Sequence, residues 1–293
     1  MALDNNRLLK PVKKLRKLVA KIKRQPPPQE VHDLRTSARR FEMVFKALAL
    51  DDEGVGKKVL KDVGRLRKRA GKARDMDVLT GIASTIHLPG EDDCSIQLLE
   101  YLGARRRKHA KRLQADLKDR RPSLRRRLKR AGSVLAKILR KKGTPGEAGT
   151  PSDNAASTAV KLASELAIPR RLGRQTLHPY RLKLKELQDV LRIAAPASKP
   201  KFVTDLGKVK DAIGEWHDSE EVVSIARKVL DHGPRCELVA ELKRIAERKY
   251  ENALTMAKGL RATYLSSPEP KKKGAARSVP GTRVWDATAL LAG

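Results

Sequence analysis

Two histidines head matching patterns of basic residues. His32 is followed by Arg35, Arg39 and Lys46, and His178 by Arg181, Lys185 and Arg192, so both sets stand at offsets 0, 3, 7 and 14. Side chains of these types hold anions. The guanidinium fork matches phosphate oxygens, the ammonium is a compact point charge, and imidazole donates hydrogen bonds and gains charge as pH falls. Bond-breaking chemistry is not signalled. The six histidines form no HExxH or other close pair, no Gly-rich phosphate loop is present, and no nucleophile stands with a base and an orienting acid. A metal-assisted hydrolase would need clustered carboxylates for its ions. The acidic stretches 51–54 and 91–93 fall in predicted loops, where turn formation and helix capping account for them. The expectation is binding without catalysis, with neither cofactor nor metal.

Helices must position these cations. With His32 at zero on a helix turning about 100° per residue, Arg39, Lys46 and Arg35 fall within about 60° of it. Leu34, Ala38, Phe41, Phe45 and Leu48 gather on the opposite side as a core-facing stripe. The second set repeats this, with Leu184, Leu187 and Leu191 opposite His178. A basic stripe is by default a solvated face. Recurrence at equal offsets, with few carboxylates among the cations, argues for a ligand. Glu42 borders the first stripe and Gln188 stands at the matching position in the second, with Asp189 on its other border.

The whole chain is consistent with an anionic partner. Its 293 residues hold 66 Lys and Arg against 34 Asp and Glu, a formal charge of +32. Such a chain repels itself unless a polyanion sits with it: nucleic acid, an acidic membrane surface or a phosphate polymer. Cys94 and Cys236 stand in unrelated contexts with no disulfide framework or metal spacing, as suits a reducing compartment. No apolar run approaches 18 residues and the N-terminus lacks the apolar core of a signal peptide, so a soluble, cytoplasmic protein is expected.

Periodicity predicts an all-α fold. A basic amphipathic helix over 11–24, starting at Pro11, occupies an N-terminal segment 1–24. Helical patterns near 30–49, 55–72, 76–86, 92–119 and 121–142 make up a first region, 25–142. Residues 143–158, rich in Gly, Pro, Ser and Thr, read as a flexible linker. Patterns near 158–167, 176–194, 200–214, 219–231 and 234–261 make up a second region, 159–265. Residues 266–293 read as a disordered tail.

The two regions align. Gly64 matches Gly207, Gly71 matches Gly214, Asp75 matches Asp218, and Arg65 and Arg67 match Lys208 and Lys210. The His-to-Asp spacing is 43 residues in one and 40 in the other. Order and spacing point to an internal repeat. Asp75 and Asp218 each follow a helix-ending stretch and read as N-caps, with Glu221 completing a capping box after Asp218.

VHDLRTSARR (31–40), GKARDMDVL (71–79), LHPYRLKLKEL (177–187) and IGEWHD (213–218) together resemble the CHAD family, the conserved histidine α-helical domain, over roughly residues 25–262. The resemblance implies two four-helix bundles related by approximate two-fold symmetry. It also implies a basic central cavity that binds inorganic polyphosphate. Carried onto this chain, it puts His32, Arg35, Arg39 and Arg40 in the first motif and His178, Arg181 and Lys185 in the second. With the stripes and the repeat, the full candidate set adds Lys46, Arg65, Arg67, Arg192, Lys208 and Lys210. Granule targeting, storage control and regulation of a partner enzyme all remain open as the purpose of binding.

The alternative is non-specific nucleic-acid binding. Only nine Phe, Trp and Tyr occur, and Phe41 and Phe45 face the predicted core, so stacking platforms for single strands are lacking. Contact with duplex phosphates alone stays open as a weaker interaction. A third option is membrane attachment through residues 7–24, where Leu8, Leu15, Leu18, Val19 and Ile22 oppose Lys and Arg. Packing of that helix on the first bundle is the expectation.

Overall fold

Leucine, valine and alanine at spacings of three and four carry the helices of this chain. The computed structural model describes residues 5–23, 25–48, 50, 54–140, 151–168, 171–194, 201–231 and 236–265. These form α1 (Asn5–Lys21), α2 (Pro28–Ala47), α3 (Gly54–Ala83), α4 (Asp92–Arg140), α5 (Pro151–Ala167), α6 (Arg174–Ala194), α7 (Lys201–Val229) and α8 (Glu237–Tyr264). Among the described residues there is no strand, and the fold is all-α. No helix among them is long and apolar enough to cross a membrane.

Several helices run through points where the sequence signals a break. α1 starts before Pro11, because Leu8, Val12, Leu15, Val19 and Ile22 form one buried stripe that spans the proline. α4 passes through Pro122 for the same reason. Leu113, Leu117, Leu124, Leu128, Ala131 and Leu135 stay on one buried face, so packing offsets the backbone bond that proline removes. α5 begins at Pro151, inside the stretch read as linker; proline is pre-set for a first turn. The rest of that stretch, 143–150, and the tail, 266–293, lie outside the described residues.

The N-cap expectation for Asp75 and Asp218 is overturned. Both lie within unbroken helices, α3 and α7. The buried series Val63, Leu66, Ala70, Ala73, Met76 and Leu79 continues across Asp75. Leu206, Val209, Ile213, Trp216, Val222 and Val223 likewise continue across Asp218. Gly71 and Gly214 therefore do not end helices; their use appears with the site.

The chain forms two compact units. One comprises residues 1–154 and 215–249, the other 155–214 and 250–293. In the first, α1 packs on α2 and α4, and α3 packs on α2 and α4. The apolar face of α1 is thus covered by protein, and Lys14 on its edge reaches Asp33 of α2 at 3.0 Å. Phe41 and Phe45 stack at 4.4 Å inside this unit. Its other core joins Met76 and Leu79 of α3, Leu98 and Leu102 of α4, Val222 and Ala226 of α7, and Val239 and Leu242 of α8. A largely buried ion pair ties down the proline turn before α2. Arg106 of α4 donates to Asp77 of α3 at 3.0 Å and to the Pro26 carbonyl at 2.7 Å.

In the second unit, Leu177, Leu184 and Leu187 of α6 are buried, as are Phe202, Leu206 and Val209 of α7 and Ala253, Ala257 and Leu260 of α8. Polar ties join its helices. Tyr264 of α8 donates to Asp205 of α7 at 3.0 Å, Arg261 donates to the Ala167 carbonyl at 3.1 Å, and Lys183 of α6 pairs with Glu165 of α5 at 3.0 Å.

Candidate polyanion-binding site

The cation row of the first unit starts with the entry to α2. Pro27, extended at φ −65° and ψ 161°, precedes Pro28 in the first turn, and Glu30 there suits the positive end of the helix. Leu34, Ala38, Phe41 and Phe45 are fully buried and Leu48 nearly so, which turns His32, Arg35 and Arg39 to the helix's other side. These three are half-buried, while Arg40 and Lys46 are exposed. His32 is held below the ordinary imidazole range, first by burial and then by Arg74; Asp33 pulls the other way, and Arg35 and Lys14 add to the depression. It is neutral near pH 7 and sits in a positive field.

Arg35 lies flat against α3. A Cβ added at Gly71 would stand 3.6 Å from its Nε, and its Nη1 pairs with Asp75 at 3.2 Å. Two turns earlier, Glu42 makes the same kind of approach: a Cβ at Gly64 would meet its Oε1 at 3.0 Å. Glu42 accepts from Arg67 Nε at 2.5 Å, so Arg67 spends its charge on a carboxylate while Arg65 does not share that pair. Between α2 and α3 lies a concave pocket of about 650 Å³. Lys61, Arg65, Arg67, Lys68, Arg69 and Lys72 line it against the single carboxylate of Glu42. Six cations facing one acid make it a place for an anion.

The positive field extends onto α4. His109 is held below its ordinary value, first by burial and then by Arg105, Lys72, Arg112 and Lys108. Carboxylates gather elsewhere in the same unit: Glu221 is pushed up by burial, then by Asp75 and, less strongly, by Asp218, with His217 opposing. Asp75 and Asp218 thus act as members of a polar cluster.

The second unit repeats the contacts on α6 and α7. The first turn of α6 is fixed by the Gly173 carbonyl, which accepts from Thr176 and Leu177, and by Thr176 Oγ1, which accepts from the Gly173 N–H at 2.8 Å. His178, Arg181 and Lys185 are half-buried on the face away from the leucines. Arg181 Nε donates to the Lys210 carbonyl at 3.3 Å, and its guanidinium presses on Gly214, where an added Cβ would come within 2.6 Å. Gln188 is buried, donates to the Val203 carbonyl at 3.1 Å and leaves only 2.6 Å above Gly207. Arg35 over Gly71 and Glu42 over Gly64 therefore have counterparts in Arg181 over Gly214 and Gln188 over Gly207. At Gly207 and Gly214 an added Cβ would come within 2.6 Å of the overlying polar side chain, so the missing Cβ makes room for it there, whereas at Gly71 the contact would be of ordinary length. Lys208 is exposed and pairs with Asp205 at 3.4 Å, and Lys210 pairs with Asp211 at 2.9 Å. Arg192 belongs to α6, but its side chain lies outside the described residues.

The CHAD domain family model matches residues 6–227, three quarters of the chain. The chain belongs to the CHAD family. The CHAD domain from the plant Ricinus communis is similar in structure, with a TM-score of 0.62 at 15% identity over 90% of this chain and 91% of that one. PptA from Streptomyces chartreusis gives a TM-score of 0.62 at 14% identity, over 88% of this chain and 97% of its own. At these identities the likeness is one of fold. No curated protein matches significantly in sequence.

Within this CHAD chain, Lys61, Lys68, Arg69 and Lys72 line the pocket without having been singled out from the sequence. Their spacing carried the signal: 61, 65, 68 and 72 fall on one helical face, by the same 100° rule that picked out α2. Arg74, which depresses the His32 pKa, lies off that face, so periodicity gives no signal for it, and it approaches α2 only in the packed unit.

Proposed function

We propose that this protein binds inorganic polyphosphate and does not cleave it. The observation that carries the proposal is the density of cations on packed helix faces, above all the pocket with six Lys and Arg against Glu42. Membership of a family linked in general to polyphosphate binding supports it. A phosphate chain carries repeated charge and offers no base edges to read, so rows of Arg, Lys and His suffice to hold it. His32, Arg35 and Arg39 in the first unit and His178, Arg181 and Lys185 in the second are the assigned contacts. Arg40, Lys46, Arg65, Arg67, Lys208 and Lys210, with Arg192, extend the rows. Binding of this kind would fit a protein associated with polyphosphate granules.

The test compares the wild type with His32→Gln/Arg35→Gln/Arg39→Gln and with His178→Gln/Arg181→Gln/Lys185→Gln. Polyphosphate affinity should fall at least about tenfold in each triple variant, which corresponds to ~1.4 kcal/mol, with helicity retained. Affinity of the wild type should drop steeply between low and moderate salt, because displaced counterions drive binding to a dense polyanion. Duplex DNA should compete poorly near physiological salt. Unchanged affinity in both folded triple variants refutes the assignment, and a win for DNA transfers it to nucleic acid.

A further inference from the structure

Cys94 and Cys236, 142 residues apart, meet in the first unit. Cys94 sits in the first turn of α4 and Cys236 immediately precedes α8, and both are buried. Their Sγ atoms are 3.5 Å apart. Glu91 joins them, with Oε2 3.3 Å from Cys236 Sγ. One ligand atom from each of the three residues lies within 4.8 Å of the others.

The backbone builds this corner. Gly90 takes a left-handed φ of +85°, which side-chain-bearing residues rarely adopt, and the Glu91 N–H donates to the Leu88 carbonyl at 3.1 Å. That turn delivers the Glu91 carboxylate to the start of α8. Its Oε1 accepts the Glu237 N–H at 3.1 Å, which orients the carboxylate and leaves Oε2 toward sulfur. Ile86, Leu98, Leu230, Leu238 and Val239 belong to the same apolar cluster as the two thiols and wall the inner side.

We infer that Glu91, Cys94 and Cys236 form a binding site for a thiophilic divalent cation of the zinc class, with water completing the coordination. The dimensions fit. Tetrahedral zinc with Zn–S ~2.3 Å and Zn–O ~2.0–2.2 Å has S···S edges of about 3.8 Å and S···O edges of about 3.6 Å. The observed 3.5 and 3.3 Å need an expansion of only a few tenths of an ångström. The carboxylate is already held by a backbone donor, the usual outer-sphere support of a ligand. Metal binding displaces the protons of both thiols, and two thiolates with a carboxylate match the charge and softness that zinc selects. The ion would staple α4 to α8 within this unit, independently of any polyanion.

The test uses the full chain, freed of metal and polyanion by chelator and high-salt washing under reducing conditions. Added zinc should remain at one equivalent per chain after gel filtration. Cobalt(II) in its place should show a thiolate-to-metal charge-transfer absorption. Cys94→Ser and Cys236→Ser should each abolish that absorption, and Glu91→Gln should weaken retention at least about tenfold, since even outer-sphere partners are worth 10–100-fold. A readout without variants guards against misfolding: one equivalent of zinc should slow alkylation of both thiols in the native wild type. Absence of stoichiometric zinc, unchanged alkylation, or charge transfer that survives undiminished in either folded serine variant overturns the site. So does recovery of the two thiols as a disulfide that excludes metal from freshly isolated protein.

Discussion

Replacing Gly71 and Gly214 by alanine, one at a time, should have opposite effects although the two glycines occupy matched positions. Alanine in a helix interior gains roughly 1 kcal/mol over glycine. At position 71 the new methyl would sit 3.6 Å from Arg35 Nε and 4.0 Å from its Cζ, ordinary contact distances, so the gain is kept. At position 214 it would sit 2.6 Å from an Arg181 Nη and 3.0 Å from Cζ and Nε. The guanidinium must withdraw by about an ångström, which ends its 3.3 Å bond to the Lys210 carbonyl. A bond from a charged donor is worth ~1.5–3 kcal/mol, and the half-buried setting puts this one at the lower end. An off-rotamer side chain adds ~0.5–1.5 kcal/mol. Loss therefore exceeds gain, and Gly214→Ala should be destabilised by about 1 kcal/mol. Urea or thermal denaturation followed by helicity, without ligand, reads both. The melting temperature should rise by about 2–4 °C for Gly71→Ala and fall by about as much for Gly214→Ala. A Gly214→Ala protein as stable as Gly71→Ala would refute the reasoning, because it would mean that Arg181 does not rest on α7.

Arg106→Ala should cost about 2 kcal/mol, since it strands Asp77, whose side chain is only 6% exposed, and frees the Pro26 carbonyl; a denaturation midpoint within 0.5 kcal/mol of the wild type would contradict this. His32 should make polyphosphate binding pH-dependent. Its folded pKa lies below the ordinary 6.5, through burial and then Arg74, with Arg35 and Lys14 adding and Asp33 opposing. The free protein therefore gains stability from a neutral His32 above pH 6.5, and loses it as pH falls from there through the folded value. Bound phosphate reverses the field and raises the pKa, so affinity should strengthen as pH drops from about 7, with proton uptake seen by calorimetry in two buffers. Equal pH slopes for wild type and His32→Gln would remove His32 from the site.

What the sequence by itself determined is whatever follows from local periodicity and charge. The all-α class follows from apolar residues three and four apart, and the orientation of α2 and α6 follows from the leucines and phenylalanines opposite His32 and His178. The same 100° rule places Lys61, Arg65, Lys68 and Lys72 on one face of α3. Tertiary structure decided where helices end. Proline and glycine carry only a local cost, and a buried stripe that continues past Pro11, Pro122, Gly71 or Gly214 outweighs it. It also decided which charges are committed: Arg67 meets Glu42 and Arg35 meets Asp75 only because α2 and α3 pack together. Cys94 and Cys236 are the extreme case. Nothing in their separate sequence contexts relates them, and only the packing of α4 and α8 in one unit brings their sulfurs to 3.5 Å beside Glu91. Contacts between residues so far apart depend on how every intervening helix packs, and that information is not carried by any local stretch of chain.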